Sequence, residues 1–293
     1  MQTDSCLFYT FERDFTGLSE IEGDCLTPPD LIKLLQALLP AKQPEPAPAL
    51  KRGDVRKPVL QVLEAPLLAH GFARFKGAAA WRHGERWVDV VEVQFIKTHG
   101  ASPHSPSLHV GRYFNFVPED AIGGPVPQAQ GRNLPPPELC HFRKTVYRPG
   151  VPAGTPLGNI WQIGAAGEGM ADCLQDIASV AEGSILPWFD WLDDLDQVLR
   201  LLLSGASDIE GRSDDPLMRG TWNHSSSFGR HVLTGLVACQ LGQWSLALER
   251  LEPVRALGGI PLKNNQVLPL PAASLGRIRD ACEQARRAMR EQH

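Results

Sequence analysis

The chain has 293 residues, 29 of them Lys or Arg against 33 Asp or Glu, a formal net charge of −4, and 43% apolar residues. That mild acidic balance argues against nucleic acid, whose partners carry a basic surplus, and no run of about 18 apolar residues offers a membrane span. The N-terminal MQTDSCLFYTFERDF has acidic residues and no basic n-region, so no secretory signal is expected; the expected location is cytoplasmic, with the scattered Cys6, Cys25, Cys140, Cys173, Cys239 and Cys282 as reduced thiols.

Taken in order, residues 5–10 read as a short strand. Thr27-Pro28-Pro29-Asp30 then starts a helix through Leu31, Ile32, Leu34, Leu35 and Leu38 that stops before Pro40. The following AKQPEPAPAL has the composition of an extended linker. The expected organisation is an appendage over 1–40 docked by its leucine face, a linker over 41–53, an α+β domain over 54–205 and a helical segment over 206–293. A second helix runs from about Asp54 to His70 on Val55, Val59, Leu60, Leu63 and Leu67, with Pro66 expected to kink or end it and Gly71 placed to cap it.

Residues 71–117 carry the sustained period-2 alternation of the chain, the mark of strands with one buried face. Strands are expected over 80–83 and 86–97 around a Gly84-Glu85 turn, then over 108–117, as an antiparallel meander. On the long strand Trp87, Val91, Val93 and Phe95 share one face; Leu108, Val110, Phe114 and Phe116 do so on the next. The opposite face presents Glu92, Gln94, His109, Tyr113 and Asn115 together. Residues 140–147 form a further strand candidate.

Helical periodicity then takes over, through Met170, Cys173, Leu174, Ile177 and Val180, and again from Trp188 to Leu202 with Pro187 at its start. Phe228–Leu241 and Trp244–Val254, joined by Gly242-Gln243, are expected as an antiparallel pair like the turn and second helix of a tetratricopeptide unit. Ser274 caps a last helix ending near Arg286, Arg287 and Arg290. The fold class is α+β: an antiparallel sheet with helices on one face and a C-terminal helical segment.

Gly71-Phe72, Gln94, Asn115, Cys140, Arg143, Trp161 and Leu186-Pro187-Trp188 stand in an order that resembles the bacterial domain-of-unknown-function family four-three-zero-four. The resemblance covers roughly 54–255 and implies a fold of this kind, with no established activity attached to it.

Catalytic and metal signatures are thin. His99, His104 and His109 recur at i, i+5, which is not a zinc-ligand spacing, so no metal and no cofactor are expected. Asn223 to Ser227 reads as a helix cap, and Gly164, Gly167 and Gly169 lack the GxGxxG spacing of a dinucleotide loop. Two readings follow. Asp190, Asp193, Asp194, Asp196, Asp208, Glu210, Asp214 and Asp215 supply a negative field that suits a basic partner; this makes a non-catalytic protein-binding module the leading expectation, of the immunity or antitoxin kind that masks a basic toxin. The alternative is a hydrolase-type enzyme with Glu92 or His109 as general base on the polar sheet face.

Overall fold

The alternating stretch forms four consecutive strands of a six-stranded antiparallel sheet. The computed structural model describes residues 50–96, 104–118, 126–205, 215–223, 227–261 and 266–292; the expected strand at 5–10, the helix from Thr27 and most of the linker lie outside them. The sheet order is β1 (Arg74–Lys76), β2 (Ala79–His83), β3 (Trp87–Ile96), β4 (Ser105–Phe114), β7 (Phe142–Thr145) and β8 (Thr221–Asn223). β2, β3 and β4 are the expected meander, with β4 lying three residues earlier than the expected 108–117, and β1 adds an edge strand not expected from the sequence. A small hairpin, β5 (Gln128–Ala129) with β6 (Arg132–Asn133), lies between β4 and β7, and a second, β9 (Gly259–Pro261) with β10 (Val267–Pro269), lies near the end of the chain.

The β2–β3 turn sits one residue later than expected. Glu85 and Arg86 are its central pair, closed by Gly84 N donating to Trp87 O at 2.9 Å. Gly84 is displaced from the turn centre because the Trp87 ring lies over it; a Cβ there would come within 2.5 Å of the indole.

Helix α1 (Arg52–Ala69) starts where Asp54 accepts from Lys51 N at 2.8 Å. Pro66 does not stop it: the helix runs three residues further, to a paired terminal closure. Gly71, at φ +83°, donates to Leu68 O while Phe72 donates to Leu67 O, the two bonds that satisfy the last carbonyls when a left-handed residue follows a helix. α2 (Met170–Val180) continues through a π turn, Ala181–Ile185, into α3 (Leu186–Trp191). The single stripe expected from Trp188 to Leu202 is interrupted at Asp194, which caps α4 (Leu195–Ser204) by accepting from Asp196 N at 2.9 Å. α5 (Ser227–Gln240), α6 (Trp244–Leu257) and α7 (Ala272–Glu291) complete the fold, with Glu252 of α6 paired to Arg286 of α7.

Each sheet face has its own cover. On the inner face Ala80, Val91, Val93, Leu108, Val110, Phe114 and Phe142 meet α1 through Val55, Val59, Leu63 and Leu67, and the α2–α3 region through Ile177, Trp188 and Phe189. On the outer face Trp81, Val88, Val90 and Tyr113 are covered by Val126, Leu134 and Cys140 from the irregular segment between β4 and β7. Full burial of each large side chain contributes about 1.5–3 kcal/mol. Residues on both sides of the expected boundary at 205 share the inner core, and β8, from beyond that boundary, pairs with β7. The described residues therefore belong to one unit.

Charge also lies on the inner face. Register places Arg82, Asp89 and Arg112 side by side across β2, β3 and β4. Asp89 and Arg112 are fully buried. Arg112 grips Asp89 with Nε at 2.6 Å and Nη2 at 2.8 Å, and Arg82 adds two bonds to Asp89 Oδ2 at 2.8 and 3.0 Å. The Trp87 ring lies 4.1 Å from the Arg112 guanidinium carbon and 4.8 Å from that of Arg82. Burial pushes the Asp89 carboxyl up, and the two guanidiniums oppose that shift.

Candidate functional site

The polar face expected on β3 and β4 is divided between cover and tether. Glu92 and His109 are direct cross-strand partners, which the sequence could not fix. Ser107 Oγ lies 3.1 Å from His109 Nε2, and Gln94 Nε2 donates to Glu92 at 3.1 Å. A serine, an imidazole and a carboxylate thus sit together, the composition of an activated nucleophile. Ser107 is fully buried, however, and accepts from Asn159 Nδ2 at 3.1 Å. The adjoining chain is pinned there by the Ser107–Ile160 bridge and by Trp161 N donating to Pro106 O at 3.0 Å. The cluster ties the 159–161 crossover to β4 and gives a substrate carbonyl no approach to Ser107. Tyr113 is buried, its ring 4.6 Å from that of His141. Asn115 lies past the end of β4, where its N donates to Arg86 O and its O accepts from Arg277.

The described members of the acidic run are largely committed within the fold. Asp193 lies 2.7 Å from Arg112 Nη1, and Asp190 lies 3.6 Å from Arg82 Nη1 and 4.0 Å from His70 Nε2. Asp194 caps α4, and its bonds from Gln197 hold its carboxyl below the usual range. Asp215 accepts from Leu217 N at 2.8 Å, capping a short 3-10 turn over Pro216–Met218. Asp196 is exposed in the first turn of α4. Asp208, Glu210 and Asp214 lie outside the described residues, as does His99. Among the described residues no three His, Cys, Asp or Glu side chains group to hold a metal ion.

A cationic pocket, not expected from the sequence, opens between β7, the α2–π junction and the 215–219 turn. Its volume is about 550 Å³, and Lys144, Tyr147, Arg148, Ser179, Ser184 and Arg219 line it with Pro149, Val180, Pro216 and Leu217. The local fold explains the convergence. Lys144 is at an inward-facing position of β7, opposite Val110, and donates to Leu217 O at 2.6 Å. Ser179 and Ser184 are five residues apart, which on an α-helix separates them by about 140°; the wider π turn between them brings both to the cavity. π turns of this kind recur at functional sites. Arg219 is delivered by Gly220, at φ +74°, whose absent Cβ would lie 2.2 Å from Thr145 O. That contact lets the turn press against β7, with Thr145 N donating to Gly220 O at 3.0 Å.

Electrostatically the pocket favours an anion. Arg148 and Arg219 have no ion-pair partner among the described residues, and Arg148 Nε and Arg219 Nε and Nη2 are buried with no acceptor. Unpaired buried donors cost about 1–3 kcal/mol each, so such atoms point to a partner not supplied by the described residues. Burial, and secondarily the nearby Arg219, bring the Lys144 amine down to about 7. The carboxylate in the lining, Asp215, opposes that shift from its capping position. The pattern was hidden in sequence because Arg219 lies about seventy residues from Lys144 and Arg148, and only β7–β8 pairing brings it to them.

No protein-family model, curated protein or solved structure matches the chain, so the family resemblance over 54–255 rests on its motif residues alone.

Proposed function

We propose that this is a binding protein for an anionic ligand, taken into the pocket formed by Lys144, Arg148, Arg219, Ser179 and Ser184. The observation that carries this reading is the pair of arginines whose buried N–H groups find no acceptor in the described chain. Bidentate guanidinium recognition of carboxylate or phosphate is the interaction such groups are built for.

The expected capture of a basic toxin has less support. Of the described acidic candidates, all but Asp196 have internal partners, so the field they would present is largely neutralised or committed to capping. The hydrolase alternative has the Glu92–His109 pairing in its favour and the sealed Ser107 against it.

Calorimetric titration at fixed ionic strength with inorganic phosphate and with a small carboxylate tests the proposal. Saturable binding of at least one anion is expected, lost in the Arg148→Ala, Arg219→Ala double variant. No binding of either anion, or binding untouched by the double substitution in a folded protein, would refute it.

A further inference from the structure

The pocket holds more cationic capacity than one carboxylate requires. A monoanionic carboxylate is matched by a single guanidinium fork, as Asp89 is by Arg112 within this fold. Here two guanidiniums, an amine and two serine hydroxyls border one cavity. In Arg219 the orphaned atoms are Nε and Nη2, the same pair that Arg112 uses to hold two oxygens side-on. These atoms are shielded from solvent, so binding through them requires the Arg219 side chain to reorient toward the cavity.

We infer that the ligand is the phosphate monoester of a small organic molecule, bound as its dianion; this rests on the anion-binding reading above. Three lines of chemistry support the class. A monoester carries about −1.5 to −2 charges near neutral pH and three terminal oxygens, enough for both arginines, the amine and a hydroxyl. A cavity of about 550 Å³ exceeds what a bare oxyanion fills and lies within the usual range of small-molecule sites, about 300–1,000 Å³. Tyr147, Pro149, Val180, Pro216 and Leu217 offer an apolar wall for the organic part. The formal charge of −4 over the chain and Asp215 at the pocket disfavour a long polyanion, whose further phosphates would meet carboxylates.

Lys144 gives the inference a readout of its own. Its amine is held partly neutral near pH 7 by burial and by Arg219, and a dianion placed beside it favours the ammonium. Binding near pH 7 should therefore take up a fraction of a proton at Lys144, offset in part by the proton that the monoester's own monoanion fraction releases.

The test is calorimetry with glycerol 3-phosphate and with glycerate, its carboxylate counterpart, near pH 7 in two buffers of different ionisation heat. Glycerol 3-phosphate is expected to bind at least about ten-fold more tightly than glycerate, the excess a charge-assisted fork confers. Proton uptake at Lys144 should accompany it, and Lys144→Met should abolish that share of the proton exchange. Arg219→Lys, which keeps the charge but loses the fork, should weaken the monoester about ten-fold, with thermal unfolding confirming that each variant is folded. Equal or tighter binding of glycerate overturns the monoester inference and leaves anion binding standing. Binding of neither compound, with inorganic phosphate also silent, overturns both. Retention on vesicles containing phosphatidic acid, with no binding of glycerol 3-phosphate, overturns the small-ligand assignment in favour of a lipid headgroup.

Discussion

At the scale of single residues, the inner sheet face carries the largest energetic stakes. Asp89 accepts from two arginines, one of them fully buried. Asp89→Ala would leave the buried Arg112 with only the half-exposed Asp193 as a counter-ion. Removing one member of a buried ion pair costs about 3–5 kcal/mol, and urea unfolding of the variant should show a loss of that order. Lys144 acts in the opposite sense. Its folded value of about 7 lies below the ordinary 10.5, so between those values the unfolded chain holds a proton that the folded protein lacks. The Lys144 contribution to stability therefore rises with pH through that window, and below about 7 the folded state carries its full cost. Above about 9 the buried thiols of Cys173, Cys239 and Cys282, which ionise in the unfolded chain before they do in the folded one, act in the opposite direction. Lys144→Met should flatten the rise and stabilise the protein near neutral pH by an amount on the order of a few kcal/mol, less the lost bond to Leu217 O. Denaturant midpoints of wild type and Lys144→Met compared from pH 6 to about 8.5, below the range in which the thiols act, read this slope; equal slopes in the two proteins would rule it out. Neither residue was legible as important. Asp89 and Arg112 occupy inward positions in strands that otherwise read as apolar there, and only the β3–β4 register shows that they face each other.

At the scale of elements, the sequence was most informative where periodicity is long. The α1 stripe, the β3 and β4 alternation and the short Gly242-Gln243 turn between α5 and α6 all correspond to described elements. Boundaries shifted where tertiary contact decides, as at Gly84 beneath Trp87. The π turn at Ala181–Ile185 had no signal, because an inserted residue leaves the apolar pattern nearly intact on either side. The α5–α6 contact depends on a close approach at Gly235, where a Cβ would fall 2.5 Å from Leu251 Cγ. Leu251 is fully buried and has little room to yield, so Gly235→Ala should destabilise by about 1–3 kcal/mol through overpacking. Differential scanning calorimetry would detect this; an unchanged or raised midpoint would mean that the helices separate at no cost.

At the scale of the whole molecule, the expected division at residue 205 gives way to a shared core. Phe142 and Trp188 pack in the same cluster as Val232, Val237 and Leu251, and Trp188 Nε1 donates to Thr221 Oγ1 at 2.9 Å. A fragment of residues 54–205 loses β8 and the helices beyond it, exposing apolar surface that the remaining sheet cannot rebury. Such a fragment should be protease-sensitive and lack a cooperative thermal transition, whereas the full chain should unfold residues of the sheet and the C-terminal helices together. A folded, cooperative fragment would restore the two-part organisation. The candidate site follows the same logic, since its cations are contributed from both sides of that division and no local motif announces it.

The late entry of β8 has a consequence for how the chain comes into being. β1 to β4 are joined by near neighbours and can pair while synthesis is under way, since local contacts form fastest. β7 ends at Thr145, but its outer neighbour starts only at Thr221, so on the ribosome the growing sheet waits with β7 as a bare edge until residue 223 has emerged. During that interval unpaired backbone groups of β7 are open to mispairing with other nascent chains. Arg219 arrives with the same segment that closes the edge, so the cationic pocket comes into existence only when this vulnerable stage has passed.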